Sequence, residues 1–368
     1  MHDKCPVARV DRLGGYTVLT KYAHVKAAAT DHASYASLDD VTLGDVGRPR
    51  ATPAAEPSSY IDARDLGLRF VAPERLRQLE PQLRRLADEI VDEFSNRGAC
   101  ELVRDYAEQL PAAAISALMG VTGDELREMR LLSVSLSRSL LQPDGFQRAF
   151  SDYSERVAEH LEARECRPSD DFLTALTQWR VDAVPLSRAA QVNFVAGLLL
   201  AGHKSTASAL SSLIAHVLGR PELRRKVLSR RRLLTDAGEE VLRLVSPFHY
   251  FMRTTVRATW IDDIPIPIGS RVMLSWAAAN RDPDVFSEPE RFRLDRRRMP
   301  HLAFGWGMHS CPGATLARMQ LRVGIEQLMR KLPDIQLESS EIGYEFVGGL
   351  LAQPRELPAT FSSRVQPT

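Results

Sequence analysis

Apolar positions recur every three to four residues along much of the chain, and they predict a largely helical protein. From Pro73 to Phe94, residues Leu76, Leu79, Leu83, Leu86, Ile90 and Val91 keep the spacing of one helix face. The segment DYAEQLPAAAISALMGV (105–121) continues in helices. From Ser187 to Leu218 there is no proline, and apolar residues occupy most of the circumference, so this helix should be buried. Gly219 and Pro221 supply its stop. At 1.5 Å per residue it would run about 48 Å. Helical spacing returns from Ala314 to Leu332. Alternating strand patterns are fewer: residues 16–20, then Thr254–Val256 and Arg271–Leu274 around a turn at Ile266-Pro-Ile-Gly269. The β-rich parts are therefore placed near 16–20, 254–276 and 340–365. Residues 40–59 are rich in Gly, Pro, Ala and Ser without periodicity, which predicts a long loop of the kind that serves as a lid. There is no internal repeat.

Composition narrows the function classes. Lys and Arg number 48 against 47 Asp and Glu, so no global basic excess points to nucleic acid or a membrane surface. The four cysteines, Cys5, Cys100, Cys166 and Cys311, lie far apart and form no CxxC pair, which argues against a zinc site or a disulfide framework. The N-terminal segment has no apolar run, and the longest apolar stretch (195–202) is too short to cross a bilayer. The expectation is a soluble cytoplasmic protein.

The most informative segment is Phe304-Gly-Trp-Gly-Met-His-Ser-Cys-Pro-Gly313, which opens onto a helical pattern. A cysteine at a helix N-terminus feels the positive end of the dipole and unpaired backbone N–H groups, which favour the thiolate. The glycines let the backbone approach a flat group closely. On residue chemistry, a thiolate ligand for haem iron and a structural cysteine in a glycine turn both remain open.

This loop resembles the haem-ligand loop of the cytochrome P-450 superfamily at Phe304, Gly305, Gly307, His309, Cys311 and Gly313. The resemblance implies that Cys311 is the axial ligand of haem b and that His309 contacts a propionate. Glu240-Val-Leu-Arg243 resembles the family's ExxR element, and Pro289-Glu-Arg-Phe292 its later arginine segment. The likeness implies a buried Glu240–Arg243–Arg291 network bracing the cysteine loop. Ala201-Gly-His-Lys-Ser-Thr206 resembles the distal-helix pattern Ala-Gly-x-acid-Thr, in which acid and alcohol deliver protons. Gly202 inside a helix costs about 1 kcal/mol against alanine, and close approach to a flat ligand would compensate. Arg253 matches a position that usually binds a propionate, where a buried anion needs fixed positive partners. WAAANRDPDVFSEPERF and LPAAAISALMGV are also similar to the family, and the likeness covers about residues 16–330. It implies one cytochrome P-450 domain over 1–368, mainly α with a smaller β region. The haem would be buried between the long distal helix and the cysteine loop.

Three departures stand out. Lys204 occupies the acid position and Ser205 the threonine position. Lys204 admits three readings: binding an anionic group of the substrate, tuning an unusual reaction, or snorkelling to solvent. The chain starts later than the family usually does. The helix near Leu66 lacks the family's histidine, so Leu66-Gly-Leu-Arg69 leaves Arg69 alone to reach a propionate. The implied function is a monooxygenase acting on a small organic, secondary-metabolite substrate with O2. The thiolate favours O–O cleavage. Electrons would come from a separate ferredoxin and ferredoxin reductase, attracted by a basic face of Arg69, Arg75, Arg77, Arg318 and Arg322. Substrate contacts are placed on the 40–65 loop, on Ala201, Lys204 and Ser205, and on Phe248–Phe251, where His249 and Tyr250 are either polar contacts or packing. Two rivals stay open. One is an atypical haem-thiolate enzyme (peroxide-driven, nitrating, isomerising or coupling), motivated by Lys204. The other is a non-catalytic ligand- or carrier-binding protein.

Overall fold

The computed structural model describes residues 5–37, 65–141, 143–181, 183–230, 232–296, 300–339 and 341–363. The loop expected at 40–59 lies outside them. The helices are α1 (Tyr22–Thr30), α2 (Pro73–Asp92), α3 (Gln109–Met119), α4 (Gly123–Arg138), α5 (Pro143–Cys166), α6 (Phe172–Gln178), α7 (Arg188–Leu218), α8 (Pro221–Ser229), α9 (Arg232–Val245), α10 (Trp276–Ala279) and α11 (Ala314–Lys331). Residues 65–70 are also helical. The chain forms two compact units. One comprises Met1–Pro49, Arg230–Ala314 and Phe346–Ala352, and the other Arg50–Ser229, Thr315–Glu345 and Gln353–Thr368.

The first unit is built on a five-stranded sheet of β1 (Val7–Val10), β2 (Tyr16–Leu19), β3 (Tyr35–Ala36), β4 (Tyr250–Thr255) and β5 (Arg271–Ser275), in the order β1-β2-β5-β4-β3. β5 runs parallel to β2 and antiparallel to β4, with Arg253 opposite Val272. Leu19, Val25, Val272, Leu274, Trp276 and Leu302 share one core, so the sheet, α1, α10 and the approach to the cysteine loop are packed together. Burial of such side chains contributes about 1.5–3 kcal/mol each. Gly269 takes the left-handed conformation expected of the Ile266–Gly269 turn (φ +76°), and its N–H donates to the Thr255 carbonyl at 2.8 Å. A further hairpin, Thr259–Ile261 with Ile264–Ile266, turns at Asp262.

The second unit is helical. Ser187 caps α7 as its alternation of burial begins, its hydroxyl accepting from the Ala190 N–H at 3.2 Å. α7 then runs 31 residues, matching the expected span. α3 is buried along nearly its whole length because it is squeezed between neighbours. A Cβ at Gly324 of α11 would lie 2.9 Å from Leu210 of α7 and 3.0 Å from Leu110 of α3. The glycine therefore sets how closely the three helices approach. Near the C-terminus short strands occupy Tyr344–Val347, Leu351–Pro354 and Pro358–Thr360, as expected for 340–365. Among the described residues no helix is long and apolar enough to cross a membrane.

Candidate active site: the cysteine loop and its brace

The cysteine loop is tied to its own backbone. Gly305 N–H donates to Leu302 O (2.9 Å), Ser310 N–H to Gly307 O (3.0 Å) and Cys311 N–H to Phe304 O (2.8 Å). Gly305 and Gly307 sit at φ +67° and +72°, where a side chain would be strained. At Gly307 a Cβ would lie 2.4 Å from the Ala29 carbonyl of α1, so only glycine lets the loop rest on that helix. Trp306 lies under the Lys26 ammonium, 4.4 Å from the ring centre. His309 meets the Ser37 hydroxyl through Nε2 at 3.3 Å. Phe304 packs against His301, ring centres 5.9 Å apart. Cys311 is exposed while residues 303–310 are half-buried, and it stands three positions before α11. Gly313 is not sterically obligatory, since a Cβ there would make ordinary contact with Cys311 Sγ at 3.8 Å.

Glu240 and Arg243 of α9 form a buried bidentate pair at 2.9 and 2.8 Å, and the Arg243 side chain is 2% exposed. Arg243 also donates to the carbonyls of Asn280 and Pro289, both at 2.8 Å. The expected third arginine is corrected. The Arg291 side chain is 74% exposed and pairs with Glu288, while only its carbonyl accepts from the network. Arg296 takes its place, with Nε donating to Glu240 Oε1 at 2.8 Å. The Arg293 N–H adds a third donor to that oxygen at 3.0 Å. Asn280, to which no role was assigned from sequence, links the pair to the loop. Its amide donates to Ser246 Oγ (2.8 Å) and its carbonyl oxygen accepts from Leu302 N–H (2.6 Å). The signal was the NRDPD run, read only as part of a wider likeness. Arg253 is buried on β4 and donates to the Met252 carbonyl at 2.8 Å.

On α7, Ala201 is exposed and Ser205 half-buried, and the Ser205 hydroxyl donates to the Ala201 carbonyl at 2.8 Å. With the half-buried Phe194, Leu198 and Gly202 they lie on the less buried side of the helix. Gly202 faces Ile115 of α3, whose Cδ1 would be 3.1 Å from a Cβ there. A helix–helix contact thus explains the glycine, and the expected role beside a flat ligand is corrected accordingly. Lys204 neither snorkels to solvent nor offers a free cation to a substrate anion, two of its three readings. It is buried, with Nζ donating to Glu108 Oε1 at 2.5 Å, and Arg138 Nε donates to the other oxygen at 2.7 Å. Burial pushes the Glu108 pKa up, but Lys204 and Arg138 outweigh it and the carboxyl lies below its ordinary value. His203 Nε2 donates to the Glu108 carbonyl at 2.7 Å, and burial pulls its pKa down to about 4.

Arg69 is exposed, with its guanidinium stacked 5.3 Å from the Trp179 ring. Of the basic face, Arg75 pairs with Asp170 and Arg322 with Glu80 (2.6 Å), while Arg77 and Arg318 are exposed. His249 packs edge-on against Phe346 and meets the Val245 carbonyl at 3.2 Å, and Tyr250 is buried beside Met252 and Met273. Packing is therefore the reading the structure supports for both. Of the substrate loop expected at 40–65, residues 40–64 lie outside the described residues.

A family model for cytochrome P450 matches residues 144–333. Mycinamicin IV hydroxylase/epoxidase of Micromonospora griseorubida is 32% identical over 97% of this chain and 92% of its own length. The chain belongs to the cytochrome P450 family. Steroid C26-monooxygenase of Mycolicibacterium smegmatis is 28% identical, covering 97% of this chain and 90% of its own. A cytochrome P450 structure from Chondromyces apiculatus superposes with a TM-score of 0.85 at 27% identity, over 99% of this chain and 94% of that one. This cytochrome P450 is accordingly a monooxygenase whose cofactor is a thiolate-ligated haem.

The donor set fits that cofactor. Among the four cysteines, Cys100 is held as a thiol, its pKa pushed up to about 12 by burial and by Asp105 and Glu101. Cys166 closes α5 and has no glycine beside it. Cys5 lies before β1 with no glycine beside it. Cys311 combines exposure, a glycine-bent loop and a helix N-terminus. Among the described residues no cluster of three His, Cys, Asp or Glu forms a competing metal site.

Proposed function

We propose that this cytochrome P450 inserts oxygen from O2 into a small organic substrate of secondary metabolism, with Cys311 as the iron's thiolate ligand and a ferredoxin and its reductase as electron source. The whole chain is read as one cytochrome P450 domain. The observation that carries the reading is the Cys311 loop: a soft sulfur exposed at the end of a backbone path bent by two obligatory left-handed glycines. Arg253 and His309 are the assigned partners of the propionates. When bound, the haem supplies oxygen activation. The chain's own residues supply the rest. The loop's backbone hydrogen bonds hold Cys311 in place, and Glu240, Arg243, Arg296 and Asn280 brace the residues around it. Ala201 and Ser205 present the substrate side, where Ser205 Oγ keeps lone pairs to accept a hydrogen bond while it donates to Ala201. Arg77 and Arg318 attract an acidic electron donor. The Glu108 pairing neutralises the cation that motivated the atypical-enzyme reading. It leaves ordinary monooxygenation as the reading with support.

The test is the ferrous–carbon monoxide difference spectrum of the purified protein, then turnover with ferredoxin, reductase and O2. A strongly red-shifted Soret band that disappears in Cys311→His, with oxygenated product in the full system, is the expected result. A wild-type band typical of histidine or neutral thiol, or turnover with peroxide alone, would overturn the reading.

A further inference from the structure

The residues leading into the cysteine loop are tied down one after another. The Pro300 carbonyl accepts from the Tyr22 hydroxyl of α1 at 2.6 Å. The Leu302 N–H donates to Asn280 Oδ1 at 2.6 Å. The Phe304 carbonyl accepts from the Cys311 N–H at 2.8 Å. Among these ties stands His301, whose side chain is 6% exposed. Its Nδ1 accepts from the Ala303 N–H at 3.3 Å. This closes the turn that an Asn or Asp side chain makes with the N–H two residues on. A ring nitrogen that accepts carries no proton, so the proton of the neutral imidazole sits on Nε2. There Glu239 Oε2 stands 3.3 Å away, within pairing distance though outside the alignment of a hydrogen bond. The carboxylate favours the tautomer that leaves Nδ1 open to Ala303. Glu239 precedes Glu240 on α9, and Glu240 Oε1 takes the Arg293 N–H and Arg296 Nε. Two successive carboxylates of one helix therefore hold the chain at 293–296 and again at 301.

We propose that His301 is a positioning residue for Cys311. Its Nδ1 fixes the Ala303–Phe304 backbone, and the Phe304 carbonyl in turn fixes the direction of the Cys311 N–H. This rests on the reading of Cys311 as the iron's ligand given above. The rival account is packing, since the His301 ring also lies against Phe304 with centres 5.9 Å apart. Packing alone needs no nitrogen, and a phenyl ring would serve as well. Burying an imidazole costs free energy unless its polar atoms are met. Here one nitrogen is hydrogen-bonded within the turn and the other stands beside a carboxylate. The ring thus joins α9 to the entry of the loop, which a shorter Asn or Asp at this place would not do.

The experiment compares the holoenzymes of wild type, His301→Asn, His301→Gln and His301→Phe. Asn keeps an acceptor for the N–H two residues on. Gln keeps a donor that reaches towards Glu239, and Phe keeps only the ring. Three quantities are read: hydrogen exchange of the Cys311 amide against the amides of α9 in the same sample, the rate at which the ferrous–carbon monoxide complex loses its red-shifted band, and the melting temperature. In His301→Phe and His301→Gln the Cys311 exchange and the band loss should both rise about 5- to 10-fold, the weight of one hydrogen bond. The α9 amides should not change, and His301→Asn should stay within about twofold of wild type. If His301→Phe also stays within about twofold on both measures, the ring only packs and the proposal is wrong. If His301→Gln restores the loop and His301→Asn does not, the Glu239 contact holds it rather than the turn, which equally overturns the proposal. If exchange rises alike in the loop and in α9 as the melting temperature falls, the effect is global and His301 positions nothing. If His301→Phe takes up no haem, His301→Gln decides by the same measures. A wild type without the red-shifted band removes the reading of Cys311 instead, and the exchange comparison reports on the turn separately.

Discussion

Arg291 and Arg296 lie five positions apart, and the difference between them separates motif from geometry. The motif singled out Arg291, whose guanidinium faces solvent beside Glu288. Exposed pairs of this kind contribute about 0–1 kcal/mol. Arg296 places Nε on Glu240 and both Nη groups on backbone carbonyls of Ser287, Glu288 and Arg291. Removing it would leave a buried carboxylate with fewer donors, at about 2–3 kcal/mol for hydrogen bonds to a charged group. In urea unfolding, Arg291→Ala should therefore stay within about 0.5 kcal/mol of wild type, whereas Arg296→Ala should be plainly destabilised and retain less haem. Equal effects would return the brace to Arg291. The glutamate and Arg243 were legible because they sit three residues apart on one helix face. The third partner was not, because it depends on how an irregular segment folds back over that face.

At the scale of elements, periodicity carried the helices. α2, α7 and α11 end within two residues of their expected limits, because burial on one or all faces leaves a spacing that sequence displays. Contacts between helices were not visible. Lys204 and Glu108 are 96 residues apart, and no local pattern joins them. The hairpin at Thr259–Ile266 falls inside the expected β-rich part 254–276 but was not singled out, because its outward-facing Trp260 and Ile264 hide the usual polar–apolar alternation. Gly202 is the instructive case. Alanine there should gain about 1 kcal/mol of helix propensity, but its Cβ would press on Ile115 Cδ1 at 3.1 Å. Gly202→Ala alone should therefore change stability little. Ile115→Val removes the crowding methyl at about 1 kcal/mol. In that background Gly202→Ala should stabilise, so the two substitutions are non-additive by more than about 0.5 kcal/mol. Additive effects in a denaturant series would mean that α3 does not set the glycine.

Across the whole molecule, acid stability should be governed by groups that the fold holds in one protonation state. His203 titrates near 6.5 when exposed and about 4 in the fold, because burial disfavours its charged form and Lys204 adds to the effect. Between those values the unfolded chain binds a proton that the folded chain does not, so stability falls as the pH is lowered from 6.5 to 4. The difference corresponds to at most about 3 kcal/mol. Carboxylates act lower down. Glu80, held by Arg322 and Arg84, titrates at about 2 against its ordinary 4.5. Its contribution is complete above 4.5 and disappears as the pH falls towards 2. Glu108 is displaced in the same direction by Lys204 and Arg138. Melting temperature against pH should therefore show two successive losses. His203→Gln keeps a donor for the Glu108 carbonyl but cannot take up a proton. It should be flatter than wild type between pH 6.5 and 4 and parallel to it below. Glu80→Gln should do the reverse, being less stable at neutral pH and flatter below 4.5. If His203→Gln follows wild type throughout, the upper loss belongs to another group, and His203 is not held neutral by the burial that places it against Glu108.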